Sequence, residues 1–268
     1  MKTAAYLGPS GTYTSLALEK YSENIKNLRK ISFSSISEVL ASLDEVDFCI
    51  VPYENSLDGY VIEVIDLLLT NKFYITSSLT LEVDFSFISN KNIDETTNVF
   101  VQFKARKQCL NFLKDNSLKF SCTESNVNTL ESFLKQEDSG AIVPTHLITK
   151  DYPCLIKNVA DNSDNFTRFV VIKKCLGNLK NGLNLVTVSI RSKNDKPGLL
   201  LEILKSFKLN NINIRSIMSR PTKDCLGSYN FFMEFEIKKD EYENINNLIT
   251  KLNLNKDFEV KILGICQE

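Results

Sequence analysis

The sequence predicts an α/β protein in two parts, an alternating strand–helix region followed by a smaller ferredoxin-like module. Three observations carry this. From Lys2 to Ile172, short apolar runs that read as buried strands alternate with stretches of helical periodicity. The stretch from Lys173 to Asn184 has two glycines, several lysines and asparagines and no apolar period, which marks a boundary. Beyond it the elements follow the order βαββαβ, which predicts a sandwich with both helices on one face of the sheet.

Lys2 to Leu7 reads as the first strand and runs directly into Gly8-Pro9-Ser10-Gly11-Thr12-Tyr13-Thr14. Leu16, Ala17 and Tyr21 suit one helix face, so the glycines form a strand-to-helix turn with Ser10 or Thr12 as N-cap. Backbone N–H groups at such a turn favour an anion, although the same residues also make a plain tight turn. The turn lacks a P-loop lysine and the third glycine of a dinucleotide fingerprint, so nucleotide binding is not supported. Ile36 to Leu43 reads as a helix and Phe48 to Val51 as an apolar strand ending at Pro52-Tyr53-Glu54-Asn55-Ser56. Polar residues there lie at the carboxyl end of a buried strand, where open α/β sheets bind ligands; Asn and Ser also serve as ordinary turn residues. A helix from Val61 to Leu69 and a strand from Tyr74 to Ser78 follow.

The middle third repeats the pattern. Thr80 to Ser89 alternates as a strand does, Asn98 to Val101 is a short strand, and Arg106 to Leu113 is helical with Cys109, Leu110 and Leu113 inward. Asn128 to Lys135 gives a further helix and Gly140 to Pro144 a buried strand, with His146 beyond it as a capping or surface residue. At Asp164-Asn165-Phe166-Thr167-Arg168-Phe169, a hydroxyl and a guanidinium stand between two aromatics at the mouth of the apolar run Val170 to Ile172. A Thr hydroxyl donates one hydrogen bond while accepting others, and Arg offers a fork suited to a carboxylate, so the pair can hold and polarise an acid. The plainer reading is a strand entry with a solvent-facing arginine.

In the C-terminal module the order is strand Leu185 to Arg191, turn Asp195 to Gly198, helix Leu199 to Leu209, strands Ile212 to Arg220 and Tyr229 to Ile237, helix Tyr242 to Leu252 and strand Phe258 to Leu263. Pro197 stands where proline belongs, at or just before a helix start.

Composition narrows the chemistry. The 268 residues carry a formal net charge of −1, which points to neither nucleic acid nor an anionic membrane. No charged-then-apolar leader and no run of about 18 apolar residues occurs, so a cytoplasmic protein is expected. The seven cysteines are scattered without Cys-x-x-Cys spacing and read as reduced core residues. His146 is the only histidine, and no soft-metal site is expected. Catalysis would run on hydroxyls, carboxylates, Arg and Lys.

Taken together, these motifs make the chain similar to prephenate dehydratase fused to a regulatory ACT domain. Gly8-Pro9-Ser10-Gly11-Thr12-Tyr13-Thr14 resembles that family's Gly-Pro-x-Gly-Thr-aromatic-Ser/Thr turn, Val51-Pro52-Tyr53-Glu54-Asn55-Ser56 its Val-Pro-x-Glu-Asn-Ser block, and Asn165-Phe166-Thr167-Arg168-Phe169 its Asn-x-Thr-Arg-Phe block. The resemblance covers nearly the whole chain in order. It implies a catalytic region of two lobes similar to type II periplasmic binding proteins, with the substrate in the cleft between them. That region would span 1–177, lobe one being 1–78 with 158–177 and lobe two 79–157, and the ACT domain 184–268. It implies decarboxylative dehydration of prephenate to phenylpyruvate, water and carbon dioxide, with no metal or organic cofactor.

The resemblance also implies roles. Thr167 is the proton donor, Arg168 anchors a carboxylate or holds the lobes together, with substrate holding the preferred role, and Glu54 orients Arg168. Gly11 and Thr12 cradle the second anion, Asn55 and Ser56 fix the ring, and Asn165 and Phe169 complete the substrate site. Pro197-Gly198-Leu199-Leu200 resembles the ACT Pro-Gly-Ala-Leu turn, and Met218-Ser219-Arg220-Pro221 its Glu-Ser-Arg-Pro segment with methionine in place of glutamate. In relatives these segments face each other across an ACT dimer and bind phenylalanine, so a homodimer or homotetramer inhibited by L-phenylalanine is implied. The sequence departs from the family at Val101-Gln102-Phe103-Lys104-Ala105, where Ser-His-Pro-Gln-Ala is common, which leaves Gln102, Lys104, Ser125 and Asn126 as second-lobe candidates. Arogenate dehydratase, a prephenate decarboxylase of the same fold and a non-catalytic amino-acid sensor are the alternatives.

Overall fold

The computed structural model describes residues 1–192, 196–222, 228–255 and 257–267; Asp195 of the expected turn and Cys225 lie outside them. The chain opens with β1 (Lys2–Leu7), α1 (Tyr13–Ser22), β2 (Leu28–Phe33), α2 (Ile36–Ala41), β3 (Phe48–Asn55), β4 (Gly59–Tyr60), α3 (Ile62–Thr70) and β5 (Tyr74–Glu82). It crosses into a second lobe made of β6 (Phe85–Ser89), β7 (Asn98–Gln102), α4 (Phe103–Gln108), α5 (Leu110–Asp115), β8 (Phe120–Thr123), α6 (Asn126–Leu134), β9 (Ser139–Pro144) and β10 (Cys154–Ile156). It returns through β11 (Phe166–Lys173) and ends in β12 (Leu183–Ser192), α7 (Leu199–Leu209), β13 (Ile214–Pro221), β14 (Tyr229–Lys238), α8 (Tyr242–Leu254) and β15 (Phe258–Cys266).

The lobes have separate sheets. The second lobe has five strands in the order β10-β6-β9-β7-β8. The first lobe and the C-terminal module share one ten-stranded sheet, β13-β14-β12-β15-β5-β11-β3-β1-β2, with β4 paired to β3. The seam is the parallel bridge between Gly264 and Ile75. It requires glycine, because a Cβ on Gly264 would lie 2.6 Å from the Ile75 Cβ.

In the C-terminal module one sheet face carries Val186, Val188, Met233 and Phe235, which pack with Ile203 and Phe207 of α7 and Leu248 and Leu252 of α8. This is the expected sandwich with both helices on one face. The other face is also covered: Leu185, Phe232 and Leu263 join Tyr53, Ile65 and Leu68 of the first lobe in a single core. Arg220 forks onto Asp66 of α3 at 3.0–3.1 Å. Lys261 donates to Leu68 O at 3.0 Å, Leu69 O at 3.3 Å and Asn71 O, where a cation complements the helix C-terminus.

Local differences from the sequence reading have tertiary causes. The strand expected to end at Ser78 stays in the first sheet to Glu82, because β11 pairs with it as far as Phe166. The alternation from Thr80 to Ser89 is therefore two strands in different sheets. The single helix expected over Arg106 to Leu113 is broken at Cys109. Asp161, arriving from the second lobe's return segment, accepts from the Leu110 and Asn111 N–H groups at 3.0 Å each and starts a new helix. The strands β2, β8 and β10 lie at sheet edges; β2 and β8 have mixed, partly exposed sequences and β10 is only three residues long, so none carried a clear strand signal. No described helix is long and apolar enough to cross a membrane.

Candidate active site

Three chain segments reach the same edge of the first sheet. β1 runs parallel to β3, so Leu7 and Asn55 end at one edge, and β11 runs antiparallel to β3, so it starts there. The crossing to the second lobe after Glu82 also leaves from this edge. The Gly8–Thr14 turn, the end of β3 and the start of β11 thus converge where an open α/β sheet meets ligands.

At the end of β3 the ladder places Thr167 opposite Asn55 and Arg168 opposite Glu54, with a register slip between Arg168 and Phe169. Asn55 Nδ2 reaches Asn165 Oδ1 at 2.8 Å, Thr167 Oγ1 at 3.0 Å and Phe166 O at 3.1 Å. Asn55 Oδ1 accepts from the Leu57 and Asp58 N–H groups, which fixes the amide orientation. The half-buried Thr167 hydroxyl therefore accepts from Asn55 and keeps its own proton for another partner. Asn165, fully buried, donates to Gln108 Oε1 at 3.0 Å, so a chain of amides links α4 of the second lobe to the Thr167 hydroxyl. Ser56 donates to Asp164 O and accepts from Phe166 N–H, closing the β3–β11 end.

Thr12 fills the N-cap of α1, accepting from Ser15 N–H at 3.3 Å and donating to Leu7 O. Gly11 adopts φ +87°, and its N–H donates to Ser15 Oγ at 2.9 Å. The second lobe lies against this turn: a Cβ on Gly11 would sit 3.2 Å from Leu147 and 3.3 Å from Val127, and His146 Nε2 lies 3.0 Å from Gly11 O. Tyr13 donates to Asp84 O at 2.7 Å, and burial, reinforced by Asp84, raises its phenol above the ordinary range. Gln102 Oε1 is occupied as the cap of α4, accepting from the Lys104 and Ala105 N–H groups. Ser125 caps α6, and the buried Oδ1 of Asn126 has no hydrogen-bond partner.

Several expected substrate contacts are corrected. Thr167 and Arg168 are consecutive on a strand, so their side chains leave opposite faces. Arg168 is 4 % exposed, with its guanidinium 2.7 Å from Glu54 and 2.6 Å from Glu234 of the C-terminal module, over the ring of Tyr53. Burial works against its charge, and the attraction and hydrogen bond of Glu234 more than offset this, holding Arg168 above its ordinary value. The guanidinium points into the joint between lobe one and the C-terminal module, away from the cleft, and Glu54 braces it there. Phe169 is 1 % exposed and packs with Tyr6, Leu18 and Phe48 beneath α1, and Asn165 supports Asn55 from a buried position.

The expected effector segments divide likewise. Pro197 and Gly198 are exposed, and Gly198 adopts φ +86° with open space where a side chain would begin. Leu200, Ser219 and Pro221 are exposed, whereas Leu199 is buried in the module's core. Met218 packs on the core shared with the first lobe and Arg220 pairs with Asp66, so both face their own chain's catalytic region. Sequence reasoning missed Gln108 and Glu234. Gln108 shows no signal by itself. Glu234 shares a strand face with Phe232, and an acid on that face reads as solvent-facing until the first lobe covers it.

A family model described as prephenate dehydratase matches residues 4–175. The chain is 34 % identical over 251 residues to the prephenate dehydratase of Methanocaldococcus jannaschii, covering 91 % of this chain and 92 % of that protein. It is also similar to the crystal structure of the prephenate dehydratase from Staphylococcus aureus, with TM-score 0.83 and 28 % identity, over 99 % of this chain and 100 % of that one. A prephenate dehydratase from Arthrobacter aurescens, solved in complex with L-Phe, shares the fold with TM-score 0.80 and 23 % identity, over 99 % of this chain and 90 % of that one.

Proposed function

The chain belongs to the prephenate dehydratase family, and from that premise we propose how its residues convert prephenate to phenylpyruvate, water and carbon dioxide. The observation that carries the reading is the Thr167 hydroxyl, which accepts from Asn55 Nδ2 at 3.0 Å and so has its proton available. As the ring carboxylate leaves as carbon dioxide, its bonding electron pair enters the ring and expels the ring oxygen. Thr167 donates toward that oxygen as it departs as water, and the net reaction takes up one proton from solvent. Asn55 orients the donor, Ser56 holds the end of the β3–β11 pair, and the turn at Gly11 and Thr12 receives the remaining carboxylate at the start of α1. Arg168 and Glu54 act from the domain joint and do not touch substrate.

The same reading assigns catalysis to 1–177, in two lobes, and regulation by L-phenylalanine to 184–268, within a cytoplasmic homodimer or homotetramer. The open backbone at Gly198 and the exposed Ser219 and Pro221 support an effector site at that end of the module. The described cysteines are free, which accords with a reducing compartment.

The test is phenylpyruvate formation from prephenate, followed by absorbance in alkali, with and without phenylalanine. Turnover lost in Thr167→Val is expected, and near-normal turnover in that variant removes Thr167 from the mechanism. Isothermal titration without phenylalanine binding removes the effector reading, and a chain that stays monomeric at micromolar concentration removes the dimer.

A further inference from the structure

We propose that Glu234, in the C-terminal module, is a positioning residue for the reaction, acting through Arg168 to hold the β3–β11 pair on which Asn55 and Thr167 stand. The proposal rests on the dehydratase reading for its rate effect, and on geometry alone for its effect on the strand.

Glu234 is fully buried at the centre of β14, on the face that meets the catalytic region, while its neighbours Met233 and Phe235 face the module's own helices. Four donors converge on its two oxygens. Oε1 accepts from Tyr53 Oη at 2.9 Å and Thr187 Oγ1 at 3.2 Å, and Oε2 accepts from Tyr60 Oη at 2.8 Å and Arg168 Nη2 at 2.6 Å. Only Thr187 belongs to the module. The other three donors stand on β3, β4 and β11, so one carboxylate from the regulatory side gathers three strands of the catalytic side.

The chemistry explains why a carboxylate sits here. The surrounding surface is apolar and aromatic, with Tyr60 edge-on to both Tyr53 and Phe232 and Tyr53 tilted against Phe232. A well-packed apolar residue in place of a buried ion pair is often as stable, so such a pair is better suited to fixing one arrangement than to adding stability. The arrangement it fixes is the irregular one: β11 slips register against β3 between Arg168 and Phe169, where the ladder is locally disrupted and a side chain can be re-aimed. Arg168 stands at that slip, gripped by Glu54 from β3 and by Glu234 from β14. The residue before it is Thr167. A shift of the guanidinium therefore moves the backbone that sets the 3.0 Å contact between Asn55 and Thr167.

The test compares Glu234→Gln with the parent and with Glu236→Gln. Glu236 is exposed and pairs with Arg215, so its variant is the control. Glutamine keeps the shape of Glu234 but presents an amide donor to two of the four donors. In Glu234→Gln, kcat is expected to fall about tenfold or more while KM for prephenate changes by less than about threefold, as for a donor held out of place. Amide hydrogen exchange in residues 166–173 is expected to quicken, with exchange in α7 unchanged. Thr187→Val, which weakens the anchor from the module's side alone, is expected to move both readouts in the same direction by about threefold, and it decides the matter if Glu234→Gln does not fold. Parent-like kcat together with parent-like exchange at 166–173 overturns the proposal. A proportional rise in KM with faster exchange throughout the module also overturns it, since that is general loosening. A parent protein that leaves prephenate unchanged refutes the dehydratase reading instead, and the exchange at 166–173 then decides the proposal.

Discussion

Replacing Asn55 by aspartate keeps the side-chain shape and reverses one interaction. One oxygen of the new carboxylate still accepts from the Leu57 and Asp58 N–H groups, at 2.9 and 3.1 Å in the parent. The other stands where the amide donor was, facing Asn165 Oδ1, Phe166 O and Thr167 Oγ1 at 2.8, 3.1 and 3.0 Å. Of these three acceptors only the Thr167 hydroxyl can turn and donate. Its proton would then be held by a carboxylate, in a bond of about 1.5–3 kcal/mol, instead of being offered to the leaving oxygen. A positioned proton donor contributes about 10²–10⁴ in rate, and a hydroxyl belongs at the lower end, so kcat is expected to fall about a hundredfold. Two acceptor pairs left facing each other cost about 1–3 kcal/mol each at most, less here because the site is half open to water, so the fold survives. Thr167→Val should lose as much as Asn55→Asp, and the double variant no more than either, because both remove the same proton. The assay is the initial rate of phenylpyruvate formation at saturating prephenate, with thermal unfolding alongside. A further loss of about tenfold in the double variant, corresponding to about 1.4 kcal/mol, refutes the shared-proton account, as does an Asn55→Asp enzyme as fast as the parent.

Three other outcomes are expected. Gly264→Val places a Cβ 2.6 Å from Ile75 Cβ and 2.8 Å from Ile75 O, so it should lower stability by about 1–3 kcal/mol or more; an unchanged urea midpoint would contradict the tight seam. Burial pushes the Cys49 and Cys109 thiols up to about 12, so at pH 8 only about one in 10⁴ is thiolate, and their reactivity should rise only as pH approaches that value. A thiol reagent should therefore label the exposed Cys122 and Cys175 of the native protein first, and early labelling of Cys109 by mass mapping would count against the buried helix break. Asp66→Asn weakens the fork from Arg220, whose partners are each about one-fifth exposed, and should cost about 1 kcal/mol in urea unfolding; no change would mean that the joint rests on its apolar core alone.

Much of the fold was legible because its signals are local. The turn at Gly11 announces itself by glycine and an N-cap hydroxyl, and the βαββαβ module by periodicity, with the helix over Leu199–Leu209 recovered at the bounds the structure has. The breaks were not legible where a distant group causes them. Nothing near Cys109 interrupts the helical pattern; Asp161 does so from the chain's return segment. Likewise nothing between Thr80 and Ser89 shows that the strand changes sheets.

For the site, the sequence singled out Thr167, Asn55, Ser56 and the Gly11 turn as candidates, and all of them stand at strand ends that the first sheet brings together. The reading of Thr167 and Arg168 as a pair acting on one acid ran against the alternation of side chains along a strand, which sends the two to opposite faces. Which face meets the cleft was decided only by tertiary structure, and so was the fate of Arg168. The outer face of the C-terminal sheet, with Phe232 and Glu234 on it, looks like a solvent face within its own module. Docking against α3 and β3 buries it, and burial turns Glu234 from a surface acid into the counter-charge of Arg168. A buried charge is set by what covers it, and here the cover comes from a segment more than half the chain away.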